Sequence, residues 1–432
     1  YDPVYEEHGV DYPLGYVRWT EQRNLETFVQ LAATGGISMA PLITHRFPIA
    51  DAASAYNLIT GEQKEPFLGV TLSYPAAPKA DKAVTVRSAP VARAGTAKVG
   101  VAVIGAGNYA RAVLLPRLAK MPHVRLVAVT SAGGVSALDA ARQFGFERAA
   151  TGHEDVIADP AVQCVIVETR HNLHAEISEQ ALKAGKATFI EKPLALTEEQ
   201  LKRVASAWVA GGRPAATVGF NRRFAPMIGA LRQFQSGRRG PWIITLRVNA
   251  GFIPDTSWVV DPDVGGGRLL GEGCHFIDLA QHLAGAQPVE VFCSGPSPDL
   301  AVRQGESITT IRFDDGSVAS VAYATGGSKL YGKERVEVLG GGAVATIDDY
   351  RLLDLADAER RSVTKDRWSQ NKGHEAYLDG YLKALAEGRP FGVDFRDLLV
   401  TSLATIRAVD SVRAGQPTPV DGAAFLRAAG VD

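Results

Sequence analysis

Lys192 and His275 are the side chains of this 432-residue chain whose types and settings point most directly to chemistry on an alcohol. Lys192 follows the apolar run 188–190 and precedes a proline, which favours an extended backbone at the lysine. Its ammonium can orient a hydroxyl group and stabilise negative charge that develops on the oxygen. His275 can accept a hydroxyl proton near neutral pH. The pair therefore predicts that one ammonium and one imidazole converge on the same carbinol.

A glycine stretch at residues 265–273 leads into the predicted helix that bears His275 and Asp278. The two side chains are three residues apart and share one face of that helix. Asp278 can orient the imidazole ring, or it can form a purely structural pair. The spacing fits both.

A glycine-rich turn follows the apolar run 99–104 and has the form G-x-G-x-x-A. Gly105 permits the tight turn, Gly107 lets the backbone approach a pyrophosphate, and Ala110 keeps the following helix close to the strand. Pro116 lies inside that helix and is expected to kink it. The pattern predicts a dinucleotide site formed by Gly105, Ala106, Gly107, Asn108, Tyr109 and Ala110.

The residue that should meet the adenosine ribose is Ser131, at the end of the second predicted strand. An NAD site usually has an acidic side chain there, and its absence removes a charge that would repel a 2′-phosphate. No nearby arginine clearly binds such a phosphate, however. The sequence therefore predicts NAD or NADP without choosing between them.

The composition is typical of a globular protein. A net charge of −1 gives no basic excess for nucleic acid or an anionic membrane, and no run approaches the roughly 18 apolar residues that span a bilayer. The three cysteines lack the spacing of a zinc ribbon, so we expect no bound metal. An odd number of cysteines argues against a disulfide framework and therefore predicts a reducing cytoplasm. Because the first residue is Tyr1 rather than Met, we expect the sequence to be a fragment.

The chain divides into regions of different character. Residues 1–74 predict a small α/β appendage with a poor core of its own. Residues 75–97 are rich in Ala, Pro, Lys and Arg and predict a linker, with an edge strand at residues 83–87 as the alternative. Residues 98–218 alternate apolar β-branched runs with helical segments, which is typical of a doubly wound parallel sheet, the α/β Rossmann fold.

Residues 219–432 predict an α+β domain with a largely antiparallel, open sheet. Six strand-like segments follow one another between residues 242 and 348, and Asp314-Asp315-Gly316 is a hairpin turn signal. Helices are expected at residues 373–387 and 396–414. The open face of the sheet needs cover, so we expect a homo-oligomer in which a second subunit supplies it.

Four motifs in order give the chain a resemblance to the glucose-fructose oxidoreductase/inositol dehydrogenase family, called Gfo/Idh/MocA. They lie at residues 101–110, 189–193, 219–224 and 265–278. The resemblance covers residues 98–432 and implies an NAD(P)-dependent oxidoreductase acting on sugars, cyclitols or their derivatives. It implies that Lys192 and His275 are catalytic. Residues on the cofactor side would be Thr169, Arg170, Asn172, His174, Glu191 and Lys192.

The sequence departs from the family at two places. Many members carry aspartate four residues before the histidine, where this chain has Gly271; either Glu272 substitutes, or the lysine–histidine pair works alone. Many members also read Thr-Pro-Asn where this chain has Thr169-Arg170-His171-Asn172. Arg170 and His171 either contact an acidic or phosphorylated substrate or line the nicotinamide side. Candidate substrate contacts are Arg222, Glu272 and Asp278.

Residues 1–74 resemble the carboxyl-terminal end of a medium-chain, zinc-type alcohol dehydrogenase, through residues 15–20 and 41–47. The resemblance implies a fusion whose appended piece is inert by itself.

The leading hypothesis is a dehydrogenase of a sugar-like secondary alcohol. One alternative is a nucleotide-sensing protein without turnover. Another is an isomerase or eliminase that retains its cofactor.

Overall fold

The computed structural model describes residue 5 and residues 10–61, 65–74, 83–86, 98–366 and 370–431. The chain divides into two compact units, Tyr1–Asp81 and Lys82–Asp432. In the described part, no helix is both long and apolar enough to cross a membrane.

In its described residues, the first unit contains two α-helices and two strands. They are α1 (Glu21–Ala33), β1 (Ile43–Pro48), α2 (Ala52–Ile59) and β2 (Gly69–Ser73), and the strands pair in parallel. Thr20 caps α1 by accepting a hydrogen bond from the Arg23 amide. Helix α2 buries Ala55 and Leu58, whereas α1 buries no side chain. The core of this unit is therefore small.

The second unit begins with a seven-stranded sheet, sheet B. Its strands are β3 (Ala83–Thr85), β4 (Val99–Ile104), β5 (Val124–Thr130), β6 (Arg148–Ala150), β7 (Cys164–Val167), β8 (Ala187–Ile190) and β9 (Ala216–Val218). Their order is β3-β6-β5-β4-β7-β8-β9, and every pair except β3–β6 is parallel. The predicted doubly wound sheet is confirmed. Its carboxyl edge is where a dinucleotide binds in this fold.

Helices connect these strands. They are α3 (Leu115–Leu118), α4 (Val135–Phe144), α5 (Glu154–Ala158), α6 (His171–Lys183) and α7 (Glu198–Ala210). The Thr197 hydroxyl caps α7 at the Gln200 amide. Helix α3 is preceded by a π-helical turn, Ala110–Leu114, and Pro116 lies in its first turn. In place of the expected kink at Pro116, the helix therefore changes from π-helical to α-helical geometry just before the proline.

A short strand lies inside the predicted linker. Ala83–Thr85 forms the edge strand β3, antiparallel to β6, as the alternative interpretation of this segment had it. A linker is thus the wrong description of these three residues, because their backbone pairs with a sheet edge. The rest of the predicted linker, apart from residue 86, lies outside the described residues.

The second sheet, sheet C, has nine strands. They are β10 (Ile243–Asn249), β11 (Pro288–Ser294), β12 (Ser307–Phe313), β13 (Val318–Ala324), β14 (Glu334–Gly340), β15 (Ala343–Asp348), β16 (Leu352–Asp357), β17 (Arg361–Lys365) and β18 (Thr418–Pro419). Their order is β17-β16-β15-β14-β10-β13-β12-β11-β18, and only β10–β13 is parallel. The hairpin at residues 314–316 joins β12 to β13, as predicted. Strands β16 and β17 were not predicted.

The carboxyl-terminal region also contains helices. They are α8 (Pro226–Gln235), α9 (Cys274–Ala284), α10 (Pro298–Arg303), α11 (His374–Ala386), α12 (Phe395–Ala414) and α13 (Gly422–Ala428). Helices α9 and α12 contact the sheet through β10 and β11. Helix α11 instead packs on sheet B, where the Tyr377 ring lies 5.3 Å from that of Phe189. This helix therefore ties the carboxyl-terminal region to the nucleotide domain.

Candidate active site

The glycine turn lies directly after the fully buried strand β4. Gly105 has φ of +113°, and a Cβ there would lie 2.2 Å from the carbonyl oxygen of Glu168, so only glycine fits. A Cβ on Gly107 would meet nothing within 4 Å, so the space above the turn is open. Ala106 and Ala110 are buried beneath it, whereas Asn108 and Tyr109 are exposed. The turn has the room and the approachable backbone that a pyrophosphate needs.

Ser131 follows β5, at the place expected for the ribose contact. Its Oγ accepts a 3.0 Å hydrogen bond from the Ala137 amide and so caps α4. Nearby, Arg111 forms an ion pair with Asp139 and donates to Gln143 at 3.2 Å. The sequence did not single out Arg111, whose guanidinium is engaged by these two acceptors. No side chain described here distinguishes NAD from NADP.

The segment 169–174 begins α6 and is held by backbone groups. His171 Nδ1 lies 2.7 Å from the Gly265 carbonyl oxygen, and the Asn172 amide donates to Val264. His174 lies 2.8 Å and 3.1 Å from the carbonyl oxygens of Pro193 and Thr169. Burial lowers the pKa of His171 to about 3 and that of His174 to about 4, although the hydrogen bonds of His174 to Pro193 and Thr169 oppose the shift.

Arg170 lies at the start of α6 and is exposed to solvent. Its guanidinium carbon lies 6.0 Å from the centroid of the Trp258 ring, and the His171 ring packs edge-on against the same tryptophan at 4.8 Å. Of the predicted pair Arg170 and His171, only Arg170 is open to a ligand.

Lys192 follows β8, and its ammonium donates a 2.9 Å hydrogen bond to the Gly271 carbonyl oxygen. Glu191 accepts a 3.2 Å hydrogen bond from the Lys192 amide, and burial raises the pKa of Glu191 to about 7 although Lys192 opposes the shift. Glu168, at the end of β7, has a pKa well above its usual range because of burial and then Glu191. Two carboxyl groups that resist ionisation therefore flank the lysine.

His275 is the second residue of α9 and is 8% exposed. Burial lowers the pKa of His275 well below its usual value, and the charges of Arg222 and Lys192 lower it further, so the imidazole is neutral. Its Nδ1 has no hydrogen-bond partner among the described residues. The structure thus brings His275 and Lys192 within electrostatic reach of each other, beside the carboxyl edge of sheet B.

Glu272 is bound by three donors. Its carboxylate accepts hydrogen bonds from Arg268 at 2.8 Å, Tyr323 at 2.6 Å and Lys333 at 2.8 Å. Burial would raise the pKa of Glu272, but Lys333 and the other donors outweigh it and hold the pKa far below its usual range. Glu272 is therefore an ionised carboxylate that is already satisfied.

Two other predicted substrate contacts are in buried ion pairs. The Arg222 guanidinium binds Glu334 through two hydrogen bonds of 2.8 Å and 2.9 Å. Asp278 is fully buried and accepts three hydrogen bonds of 2.6–2.9 Å from Arg223. Asp278 therefore forms the structural pair that the sequence left open, and Arg223 rather than His275 is its partner.

Sequence reasoning missed several polar residues around the site. Glu168 had a local signal, because it is a charged residue at the carboxyl end of a buried strand. The positions of the other residues depend on which strands of sheet C are neighbours, and no local sequence pattern predicts that. These residues are Lys333, Glu334 and Lys372.

No group of three His, Cys, Asp or Glu side chains in the described ranges could hold a metal ion.

Comparisons with known proteins identify the family of the two domains. Residues 99–220 match a family described as "Oxidoreductase family, NAD-binding Rossmann fold" (GFO/IDH/MocA). Residues 225–345 match the "GFO/IDH/MocA C-terminal domain". The two matches together span more than half of the chain.

Two relatives and one solved structure illustrate the likeness. The scyllo-inositol 2-dehydrogenase (NAD(+)) of Bacillus subtilis is 28% identical over 338 residues, 75% of this chain and 97% of that protein. The levoglucosan dehydrogenase of Pseudarthrobacter phenanthrenivorans is 32% identical over 218 residues, 43% and 55% of the two proteins. A structure of levoglucosan dehydrogenase in complex with NADH and levoglucosan is 25% identical, with a TM-score of 0.65, and covers 75% of this chain and 100% of its own. The chain therefore belongs to the GFO/IDH/MocA family of NAD-binding oxidoreductases.

Proposed function

We propose that the chain is an NAD(P)-dependent dehydrogenase that oxidises a secondary alcohol of a sugar, a cyclitol or a derivative of either. One observation supports this most directly. A neutral imidazole with an unpartnered nitrogen, His275, lies near the Lys192 ammonium in a family whose nucleotide domain binds NAD. Relatives named for scyllo-inositol and levoglucosan support a polyol substrate.

In this proposal the two side chains divide the work on the hydroxyl group. His275 accepts the hydroxyl proton, and its neutral state makes it ready to do so. Lys192 donates to the same oxygen and stabilises the negative charge that develops on it. A nicotinamide nucleotide held at the glycine turn, Gly105 to Ala110, would supply the acceptor for the hydride that leaves the carbinol carbon. The carbinol thus becomes a carbonyl, and the proton remains on His275.

The test is a Lys192→Ala variant. Its kcat should fall by about 10²–10⁴-fold, because the transition-state oxygen loses its donor. The Kd for NADH, measured by fluorescence, should stay unchanged. The exposed Lys202 on α7 provides the control, Lys202→Ala, with wild-type rates. Unchanged kcat in the Lys192 variant would remove this lysine from the mechanism.

Two other functions remain as alternatives. A nucleotide sensor would bind NADH tightly and reduce no cofactor with any polyol. An isomerase or eliminase would copurify with its nicotinamide cofactor and convert substrate without net reduction. Assays with a polyol panel, together with mass spectrometry of the purified protein, separate all three.

For the nucleotide, we propose NAD or NADP, with the site formed by the glycine turn, Ser131 and the ends of β7 and β8. The lack of a carboxylate at Ser131 supports acceptance of both. Comparing the two Kd values tests this.

We also infer that residues 1–74 are the end of a medium-chain, zinc-type alcohol dehydrogenase, inert in isolation. The parallel pair β1–β2 joined through α2 supports this inference. One equivalent of zinc in the purified protein would contradict it. The three cysteines are free thiols, which supports the cytoplasm as the location that we propose.

We propose further that a second copy of the chain covers the outer face of sheet C. Four exposed apolar side chains form a row across adjacent strands β13, β10, β14 and β15, because Ile243 is paired with Val318 and Leu339, and Leu339 with Val344. Ile243 is 62% exposed. A continuous apolar row of this kind is typical of a subunit interface.

Sedimentation velocity tests the oligomer. The wild type should sediment as a homo-oligomer, and Ile243→Glu should shift it toward the monomer. Leu330→Glu, at a fully exposed loop position, is the matched control and should leave the oligomer intact. A monomeric wild type at micromolar concentration would contradict the proposal.

A further inference from the structure

Two carboxylates near His275 each form ion pairs with two cationic side chains. Glu272 binds both Arg268 and Lys333, and Glu334 binds both Arg222 and Lys372. One cation would neutralise each carboxylate. Within these ion pairs each cluster has one positive charge in excess; the nearby Asp349 carboxylate accepts hydrogen bonds from the Lys333 and Glu334 backbone amides.

The lysines of the two clusters still have donors to offer. Each ammonium has three N–H groups, and the only hydrogen bond described for either is a single one: Lys333 to Glu272 at 2.8 Å, and Lys372 to Glu334 at 2.7 Å. The Lys333 side chain is 39% exposed, against 17% for Lys372. Lys333 is thus the cation that a ligand in the cleft can reach.

The other charged groups around His275 do not cancel this excess. Asp278 is matched by Arg223. Burial raises the pKa of Glu191 to about 7, and burial with Glu191 raises that of Glu168 well above its usual range, so neither supplies a full negative charge. His374 adds no charge, because burial and then Arg222 lower its pKa to about 4.

Lys192 adds its own ammonium near His275. Besides burial, the positive charges of Arg222, Lys192 and Lys333 lower the pKa of His275. A substrate with a negative group would be attracted to this cleft, whereas a neutral polyol would gain nothing from Lys333.

A second observation points to a ligand at the same place. Nδ1 of His275, a side chain more than nine-tenths buried, has no hydrogen-bond partner among the described residues. A buried polar atom without a partner is costly unless a ligand completes its hydrogen bonding. The unpartnered nitrogen lies three residues along the chain from Glu272, the carboxylate that binds Lys333.

We propose that the substrate carries an anionic group, a carboxylate or a phosphate, bound by the free N–H groups of Lys333 with Lys372 and Arg222 adding to the attraction. This inference rests on the dehydrogenase proposal and specifies its substrate class. The alcohol to be oxidised and the anionic group then belong to one molecule, as in a hexuronate or a sugar phosphate.

The test compares neutral hexoses with the corresponding uronates and 6-phosphates, which carry an anionic group at carbon 6. The NADH-loaded full chain is titrated with glucose, glucuronate and glucose 6-phosphate, then with the galactose and mannose series, and kcat/KM is measured with NAD⁺ and NADP⁺. At least one acid should bind and react about tenfold better than its neutral partner, and the preference should weaken as salt rises. The uronate and phosphate arms decide which anion is preferred.

The variant Lys333→Gln removes the reachable cation while Glu272 keeps Arg268 and Tyr323, so the protein should fold. It should lose the preference for the acid, so that kcat/KM for the acid falls to that for its neutral partner, whereas Lys202→Gln should keep the wild-type preference. If no acid binds better than its neutral partner, the inference is wrong, whether or not neutral polyols react. If acids bind through Lys333 without reducing either cofactor, the anion site stands and the dehydrogenase proposal fails.

Discussion

A Cβ atom on Gly271 would lie 2.7 Å from Cε1 of His171, so a side chain at position 271 would overlap the histidine ring. His171 is fixed there by the Gly265 carbonyl oxygen at 2.7 Å and by the edge of Trp258. Many members of the family carry aspartate at the position of Gly271. A side chain at position 271 would therefore require the His171 ring to move.

The first prediction is a coupling between these positions. Gly271→Asp should destabilise the protein, because its Cβ displaces His171, and His171→Ala should destabilise it by removing packing and a hydrogen bond. The double variant should be more stable than the sum of the two predicts, by about 0.5–3 kcal/mol. Urea unfolding of all four proteins measures this. Strict additivity would show that the collision is relieved elsewhere.

A second prediction separates the two glycines of the turn. Gly105→Ala should lower the free energy of unfolding by about 1–3 kcal/mol, because of its positive φ and its contact with the Glu168 carbonyl. Gly107→Ala should leave stability unchanged, since its Cβ meets no protein atom, but should weaken NADH binding at least about tenfold. Thermal unfolding and fluorescence titration provide the two measurements. Equal NADH binding by Gly107→Ala and wild type would place the pyrophosphate elsewhere.

The parts of this site that follow from local sequence were predictable. Each of these parts depends only on residues of its own strand–turn–helix unit. They are the glycine turn, the strand before it and the lysine after β8, and all are found at the predicted positions. The alternation of apolar residues also gave the main strands of sheet C. These patterns involve residues close together in the chain, so they can be recognised from a single sequence.

Features that depend on distant residues were not predictable. Whether Asp278 would pair with Arg223 depends on a 3₁₀ turn, Asn221–Phe224, meeting α9 from 55 residues away. Lys333 directly precedes β14, and Tyr323 lies on β13. Both can bind Glu272 because β14 and β13 are the two neighbours of β10 in sheet C. Strand β17 is exposed along its whole length and lacks the apolar alternation that marks a strand. No local pattern specifies such pairings.

The third prediction concerns the pH dependence of the reaction. Burial holds the pKa of His275 well below its usual value, so the imidazole stays neutral as pH falls from 8 through about 6.5. The kcat/KM for alcohol oxidation should therefore show no histidine-type decline near pH 6.5, and any acid limb due to His275 should lie lower. Initial rates between pH 5 and 9 test this. A limb near 6.5 that disappears in His275→Gln would show that the imidazole is ordinarily basic.

The last prediction follows from the buried pair Arg222–Glu334. Burial raises the pKa of Glu334, but Arg222 and Lys372 outweigh it and bring the pKa down to about 2, below the ordinary value of about 4.5. A lowered folded-state pKa stabilises the protein above pH 4.5, and this stabilisation is lost as pH falls toward 2. Glu334→Gln should cost about 3–5 kcal/mol at pH 7, because the Arg222 charge is left buried without its partner.

The pH dependence distinguishes this ion pair from simple loss of packing. The difference in unfolding free energy between wild type and Glu334→Gln should be constant between pH 7 and about 5 and should shrink below about 4.5, as the wild-type carboxylate is protonated on unfolding. Urea unfolding at pH 7, 5.5, 4.5 and 3.5 measures it. The exposed Glu359→Gln is the control and should show no such change. A difference that stays constant to pH 3.5 would mean that Glu334 stabilises the fold through its shape and not through its charge.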